Sequence, residues 1–206
     1  MQSYVGNMSE PETPPTSGHD PDKDVLLDAR RIRGIAHPLR VRILDLLRRG
    51  GPATATGLAE RLGQSSGATS YHLRQLATYG FVVEDPDRGT ARERWWKAVH
   101  RSTVLNDSSQ VDPADAETYL HAVVDATADR GHRFVNELYA LPEEWRGAFT
   151  LNNVSLRLTP EESLRLIEEV TAVLDRYRHF DAPDAPAGAE HVATTFNLLP
   201  LAGDAR

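Results

Sequence analysis

Residues 54–82 read TATGLAERLGQSSGATSYHLRQLATYGFV and contain two helical patterns separated by a short turn. Thr54 is placed to cap the first helix, which is expected to end at Gly63 because glycine is favoured just after a helix. Ser65 or Ser66 is available to cap the second helix, whose apolar residues recur at helical spacing. Two short helices across a tight turn that contains glycine form a helix-turn-helix.

Two further helices are predicted upstream of this motif. Apolar residues recur at helical spacing from Val25, and this helix is expected to end near His37, because the residue before a proline disfavours the helical conformation. Pro38 then opens a second helix, which is stopped by Gly50 and Gly51. The side chains of this second helix expected to point inward are Val41, Ile43, Leu44 and Leu47.

A β-hairpin is predicted downstream of the motif. Two β-rich runs flank a turn at residues 86–89, Pro-Asp-Arg-Gly, and the second run passes through Trp95, Trp96 and Val99. The last three of these helices, followed by such a hairpin, or wing, give the winged helix-turn-helix plan.

The same region resembles a known family. It is similar to the ArsR-type winged helix-turn-helix transcriptional regulators, in particular to the actinobacterial branch with an extended C-terminal region. The stretches that carry this similarity are AHPLRVRILDLL, GLAERLGQSSGATSYHLRQLATYGFV and DRGTARERWW. The resemblance covers residues 25–101, under half of the chain. It implies a homodimer that binds a DNA operator and is released or tightened by a signal.

Charge is distributed unevenly along the chain. The 206 residues are 40% hydrophobic and 26% charged, and the net charge of −7 by itself argues against binding to a phosphate backbone. Residues 24–101 nevertheless hold 14 Arg or Lys against 8 Asp or Glu, a balance of +6, so that the remainder carries −13. A basic block in an acidic chain indicates a nucleic-acid module, although arginine-rich helix faces also occur as plain solvated surface.

Composition excludes several functional classes. No window of 18 apolar residues exists that could span a membrane, and the first 24 residues lack the basic start and apolar run of a secretory signal. We therefore expect a cytoplasmic protein with no membrane association. The absence of cysteine excludes disulfides and thiolate metal sites. Residues 1–23, rich in Pro, Ser, Thr and Glu, are expected to be a disordered acidic tail.

The second helix of the motif carries most of the expected DNA contacts. When the stripe of Thr69, Leu73 and Leu76 faces the core, the polar side chains on the opposite side face a major groove. Arg74 suits a guanine edge or a phosphate, and the free N–H groups at the start of the helix favour a phosphate. His72 lies close to the buried stripe and is expected to pack rather than to contact a base.

The wing supplies the remaining expected contacts. Arg88 at the turn and Arg92 on the returning strand are expected to reach phosphates or the minor groove. On the same face as Arg92 are Arg94 and Trp96, so at least one of these arginines is an alternative partner for the indole. The full set of expected DNA contacts is Ser66, Gly67, Ser70, Tyr71, Arg74, Gln75, Arg88 and Arg92.

No pattern supports catalysis, a cofactor or a metal. Residues 63–67, Gly-Gln-Ser-Ser-Gly, match the nucleophile elbow of hydrolases, but that motif follows a strand and this one follows a helix. His121 and His132 have the separation of the non-thiolate metal site that the resemblance implies, yet Tyr119 and Val135 occupy the flanking ligand positions. We expect no enzymatic activity, no cofactor and no metal site.

The acidic half begins with an expected polar linker at residues 102–112. A long helix is then predicted from Asp112 or Asp115 to about Leu141, with Gly131 as a break point. The resemblance implies that this helix packs against the first helix and the other subunit of a dimer.

A small α/β unit is predicted beyond the long helix. Residues 148–159 and 190–201 have the composition of strands, and residues 159–162, Thr-Pro-Glu-Glu, form a capping box that opens a helix to about Tyr177. Two strands alone are marginally stable, so pairing across a dimer is expected. The unit is either a dimerisation element or the enclosure of an apolar effector.

The predicted fold class is therefore α+β. A winged helix-turn-helix DNA-binding domain (24–101) is followed by the linker and by a C-terminal dimerisation or effector domain (113–206). The main hypothesis is a homodimeric transcriptional regulator, a repressor, whose partners are a double-stranded DNA operator and a small-molecule effector of unknown, non-thiolate kind. The alternative is a winged-helix protein-interaction module of a larger assembly, in which the basic face does not meet DNA.

Overall fold

The computed structural model describes residues 23–88, 93–105, 108–179, 182 and 184–201. The expected disordered tail at residues 1–23 lies outside this part of the chain except for Lys23. The strands are β1 (Asp24–Leu26), β2 (Ala53–Thr54), β3 (Val82–Glu84), β4 (Trp95–Ala98) and β5 (Ser102–Val104). The α-helices are α1 (Arg31–Ile35), α2 (Pro38–Gly50), α3 (Ala55–Leu62), α4 (Ser66–Thr78), α5 (Pro113–Glu137) and α6 (Pro160–Leu174).

Helices α3 and α4 form the predicted helix-turn-helix, and their predicted caps are confirmed. The Gly57 N–H donates to Thr54 Oγ1 (3.1 Å) at the start of α3, and the Ala68 N–H donates to Ser65 Oγ (3.2 Å) at the start of α4. Gly63 ends α3 in the left-handed conformation with φ of 63°, which glycine adopts without steric cost. Short polar side chains and one glycine therefore define the turn.

The predicted wing is also confirmed. Strands β3 and β4 pair antiparallel, with Val82 opposite Ala98 and Glu84 opposite Trp96. The sequence did not predict β2, which adds a third strand by placing Ala53 opposite Trp96. A strand of two residues is too short to produce an alternating pattern. It matters nonetheless, because β2 holds the chain that enters α3 against the wing.

A second, parallel sheet corrects two expectations. Residues 24–26 were expected to lie in or next to the first helix but form β1, which pairs with β5 so that Val25 lies opposite Thr103. Alternating and helical spacing cannot be distinguished over so few apolar residues. Helix α1 starts only after Asp28. The Asp28 carboxylate accepts the N–H group of Arg30, the residue before the helix, and that of Arg31, its first residue. The expected linker at residues 102–112 accordingly begins with a strand.

Ion pairing holds the β1–β5 pair. Arg101 donates from Nε and a terminal nitrogen to the two carboxylate oxygens of Asp24 (2.9 and 3.2 Å), and Ser102 donates to the same carboxylate (2.8 Å). Arg48 of α2 donates to the His100 carbonyl (2.9 Å) and to Thr103 Oγ1 (2.7 Å). Burial lowers the pKa of Arg48 to about 10, so it remains charged at neutral pH. Polar side chains thus join both ends of the winged domain to α2.

One hydrophobic core extends from β1 to the first half of α5. The inward side of α2 is as predicted, with Val41, Ile43, Leu44 and Leu47 all buried. The long helix is confirmed from Pro113 and is capped by Asp112, which accepts from the Ala114 N–H (2.9 Å). It continues through Gly131, so the expected break is absent. The α5 residues that pack into the core are Ala116, Tyr119, Ala122 and Ala126.

The two strands predicted in the C-terminal half are wrong. Residues 148–159 and 190–201 are irregular, and their apolar side chains are exposed, with Leu151 at 70% and Leu201 at 73%. A strand requires a neighbour to accept and donate its backbone hydrogen bonds, and the described residues supply none here. The capping box of α6 is confirmed, since the Glu162 N–H donates to Thr159 Oγ1 (3.2 Å) and the Thr159 N–H to the Glu162 carboxylate (2.8 Å). Helix α6 ends at Leu174.

Among the described residues, no helix combines the length and the apolar character that crossing a membrane requires.

Gly34 and Gly131 provide a matched pair of helix substitutions. A Cβ at position 34 would lie 2.3 Å from Cγ of Tyr79, whereas a Cβ at position 131 would meet nothing within 4 Å. Gly34→Ala should lower the free energy of unfolding by about 1–3 kcal/mol through overpacking. Gly131→Ala should raise it by up to about 1 kcal/mol, because alanine favours the helix. Urea unfolding followed by circular dichroism measures both, and a stabilising Gly34→Ala would contradict the close packing of α1 on Tyr79.

Candidate nucleic-acid interface

Helix α4 presents a polar surface opposite its buried side. Thr69, Leu73 and Leu76 are fully buried, as predicted, and each is 0% exposed. The six expected DNA contacts of this helix lie away from that stripe and are exposed or half-buried: Ser66, Gly67, Ser70, Tyr71, Arg74 and Gln75. We call these six residues the α4 outer face. The structure brings them together on one helix, and their contact with DNA stays a prediction.

The start of α4 is built to expose backbone donors. Ser65 is occupied as the cap, and its carbonyl also accepts from Thr69 Oγ1 (3.1 Å), which holds the buried threonine in place. Ser66 and Gly67 form the exposed first turn, and no atom lies within 4 Å of the position of a Cβ on Gly67. The first N–H groups of a helix lack intrahelical partners and attract anions. A phosphate could therefore approach this turn closely.

A pair of histidines lies beneath the outer face. The His72 ring is half-buried, as expected, and its centroid is 4.4 Å from that of His37 and 5.2 Å from that of Tyr71. Nδ1 of His37 accepts the Leu39 N–H (3.1 Å) and so caps α2. The sequence analysis named His37 only as the expected end of the first helix and did not predict its role as the cap of α2. The signal was its position directly before Pro38, where a side chain that accepts hydrogen bonds can cap the helix that proline opens.

The histidine pair disfavours positive charge. Burial lowers the pKa of both His37 and His72, and the nearby Arg40 guanidinium lowers each further. His72 is lowered by His37 as well. Nδ1 of His72 is buried and has no hydrogen-bond partner within the described part of the chain. The neutral forms of both rings are therefore favoured in the folded state.

The wing presents arginines that are partly neutralised. The Arg88 side chain is 59% exposed, and its Nε lies 3.7 Å from the carboxylate of buried Asp85, which also accepts from Lys97 (3.2 Å). Arg94 pairs across the hairpin with Glu84 (2.9 Å). Arg92, the second expected contact of the wing, lies outside the described residues. Arg88 is therefore the expected wing contact on which a test can be designed.

The hydrolase-like pattern at residues 63–67 does not form a nucleophile elbow, because no strand directly precedes it. Ser65 of the hydrolase-like pattern follows helix α3 and caps α4. His121 lies 3.7 Å from Glu117, both exposed, and no group of three or more potential metal ligands occurs among the described residues.

Comparison with known proteins identifies the central segment. Residues 35–85 match the family model described as a helix-turn-helix domain. No curated protein matches the chain. The match covers α2 to β3, which are the elements that form the motif and the first strand of the wing.

Solved structures with partial similarity include two possible transcriptional regulators and one further protein. The homodimeric winged helix-turn-helix DNA-binding domain (fragment 1–100) of Mb0332 from Mycobacterium bovis, a possible ArsR-family transcriptional regulator, is 22% identical, with a TM-score of 0.32 over 50% of this chain and 79% of that chain. A possible transcriptional regulator for arsenical resistance is 27% identical, with a TM-score of 0.30 over 52% and 95%. RV1404 from Mycobacterium tuberculosis is 17% identical, with a TM-score of 0.29 over 71% and 82%.

The fold and the family model together define the class. The chain carries a winged helix-turn-helix domain, the fold of DNA-binding transcription regulators. The resemblance to ArsR-type regulators, which the sequence shows over residues 25–101, agrees with the family match over residues 35–85.

The histidine pair predicts a pH dependence of stability. Because the pKa of His37 is lowered by folding, its contribution to stability is present above the ordinary value of 6.5 and is lost as pH falls through the lowered folded value. His72 acts in the same direction. The free energy of unfolding of the wild type, measured in urea, should therefore decrease as pH falls below about 6.5.

The matched variants are His37→Asn and His132→Asn. Asparagine is a good N-cap and does not titrate, so His37→Asn should retain α2 while flattening the pH dependence. His132 is exposed on α5, and its substitution should leave the slope unchanged. An equal flattening by both variants would show that burial of the pair is not the cause.

Proposed function

We propose that this protein is a homodimeric transcriptional regulator, a repressor, that binds a double-stranded DNA operator through α4 and the wing. The observation that carries the proposal is the α4 outer face, a surface of hydroxyl, amide and guanidinium groups opposite a fully buried stripe. It lies on the second helix of a helix-turn-helix, which is the helix that enters the major groove in this motif.

Each part of the surface suits a different part of DNA. Ser66 and Gly67 at the first turn of α4 would hold a phosphate by their backbone N–H groups. Arg74, exposed in the third turn of the helix, would donate two hydrogen bonds to a guanine, while Ser70 and Tyr71 would contact base edges or phosphate. Arg88, together with Arg92, would contact phosphate or the minor groove.

The charge distribution supports this function. The balance of +6 over residues 24–101 coincides with the winged domain, while the acidic residues are concentrated on either side of it. Cations near the phosphates release counterions and so drive binding, whereas an acidic remainder opposes non-specific association.

A dimer and a separate control signal complete the proposal. Exposed apolar side chains occur along α5 at Leu120, Val124 and Val135, on positions that do not pack into the core of the same chain. A two-fold dimer would present two copies of α4 to successive major grooves, and an inverted-repeat operator would match it. The signal cannot act through thiolates, since the sequence has no cysteine. A small-molecule effector in the C-terminal half would provide it.

The experiment that tests the function is selection of genomic DNA fragments by the purified full-length protein. A regulator retains a defined inverted repeat, and its affinity falls steeply with salt. A winged-helix protein-interaction module would retain all fragments weakly and equally, and that result would overturn the proposal.

Arg74→Ala tests the base contact. With the selected operator, it should weaken specific binding by about 1–3 kcal/mol and relax the preference at one base pair, because a bidentate contact is lost. Gel-shift titrations against the operator and its single-base variants measure both effects. Arg165→Ala, which removes the same charge from exposed α6, is the control and should leave the preference unchanged. Wild-type affinity in Arg74→Ala would remove Arg74 from the interface.

Arg88→Ala tests the wing. Affinity should fall by a similar factor for operator and random DNA, and the slope of log K against log salt should become shallower by about one unit, because one phosphate contact is lost. Arg88→Lys retains the charge and should restore the slope. If Arg88→Ala affects the operator but spares random DNA, the wing contacts bases instead.

A further inference from the structure

A groove rich in arginine lies between α2, α3 and α5, away from α4 and the wing. We call it the arginine groove and define it by its charged residues, which are Arg42, Asp45, Arg49, Arg61, Asp129 and Arg133. Leu46, Leu62 and Ala126 form its apolar base. The groove opens to solvent and has about 20 Å³ of free space, enough for a water-sized group such as one oxygen of a phosphate.

The acidic residues of the groove do not balance its arginines. Asp45 accepts from Nε and a terminal nitrogen of Arg49 (3.1 and 2.6 Å) and from Arg130 of α5 (3.0 Å), so its oxygens are already occupied. Asp129 is 4.0 Å from Arg42, at the limit of an ion pair. In the described part of the chain, Arg61 and Arg133 make no ion pair with a carboxylate, so two guanidinium groups at the groove lack a counter-charge.

The arginines paired with Asp45 are partly buried, whereas Arg61 and Arg133 are exposed. The side chains of Arg49 and Arg130 are only 27% and 26% exposed. Nε of Arg130 is buried without a hydrogen-bond partner among the described residues. An exposed guanidinium group that is not paired with a carboxylate can donate two hydrogen bonds to an incoming oxyanion. The planar guanidinium matches the geometry of a phosphate or carboxylate better than an ammonium does.

We propose that the arginine groove binds a small molecule through a phosphate group, with Arg61 of α3 and Arg133 of α5 as its principal ligands. One oxygen occupies the free space beside Leu46 and Leu62, and the rest of the molecule extends towards solvent. Inorganic phosphate and a phosphorylated metabolite share this chemistry.

The position of the groove also gives the ligand a regulatory effect. Helix α3 packs against α4, and α5 packs against α2. A phosphate held by α3 and α5 together would fix the long helix relative to the helix-turn-helix. This regulatory part rests on the proposed function in DNA binding, whereas the site itself does not.

The site is tested by adding inorganic phosphate to the full-length protein in the absence of DNA. Isothermal titration and thermal unfolding compare phosphate with chloride at equal ionic strength. We expect saturable heat and a rise in melting temperature for the wild type. In Arg61→Gln/Arg133→Gln, the dissociation constant should rise at least about ten-fold, the loss of two charged hydrogen-bonding groups.

The control is Arg165→Gln/Arg176→Gln, which removes two exposed arginines of α6 and the turn that follows it. It should bind phosphate as the wild type does. Equal melting temperatures of all three proteins in chloride establish that the groove variant is folded. Absence of saturable binding in the wild type, or equal loss in the control, would overturn the proposal.

Measurements of operator binding distinguish a site for a small phosphate ligand from a contact with the DNA backbone. Phosphate should change the affinity of the wild type for its operator several-fold beyond the effect of chloride, and the groove variant should lose that difference. If the groove variant instead binds DNA weakly with a shallower salt slope, and the wild type shows no phosphate titration, the arginines contact the DNA backbone and the proposed site is wrong. The result of the phosphate titration without DNA does not depend on whether the chain binds an operator.

Discussion

Burial of Thr69, Leu73 and Leu76 against α2 and α3 determines which side of α4 meets solvent, since side chains of a helix repeat every 3.6 residues. Rotating α4 by one residue would expose Leu73 and bury Arg74, so the apolar stripe and the polar outer face are set by the same packing. The turn between α3 and α4 fixes where that helix begins, through the Ser65 cap and the left-handed Gly63. The interface therefore depends on the core more than on any contact among its own side chains.

Local signals in the sequence were sufficient wherever an element is stabilised by nearby residues. The caps at Thr54, Ser65 and Thr159 and the periodicity of α2 and α4 all involve residues within four positions of one another, and all were predicted correctly. The outer face of α4 was predicted for the same reason. Helical periodicity alone places Arg74 opposite Leu73 and Leu76 once the stripe is recognised.

Elements that depend on distant partners could not be predicted in the same way. Strand β1 is stabilised by pairing with β5, and the paired residues Asp24 and Ser102 are 78 positions apart in the sequence. A strand of three residues is too short to show an alternating pattern. Residues 148–159 and 190–201 show the converse, since their composition is typical of strands but no pairing strand occurs among the described residues. The arginine groove was missed because Arg61 and Arg133 are brought together only by the packing of α5 on the winged domain.

The parallel pairing of β1 with β5 places the two ends of the winged domain side by side, where the Arg101 N–H donates to the Lys23 carbonyl (2.7 Å). Chain that enters the domain and chain that leaves it therefore pass through the same point. The core continues from this point into the first half of α5, so the winged domain and that helix are one packed unit. A pull on the chain before Asp24 would therefore pass through its ion pair with Arg101 to the segment that leads into α5.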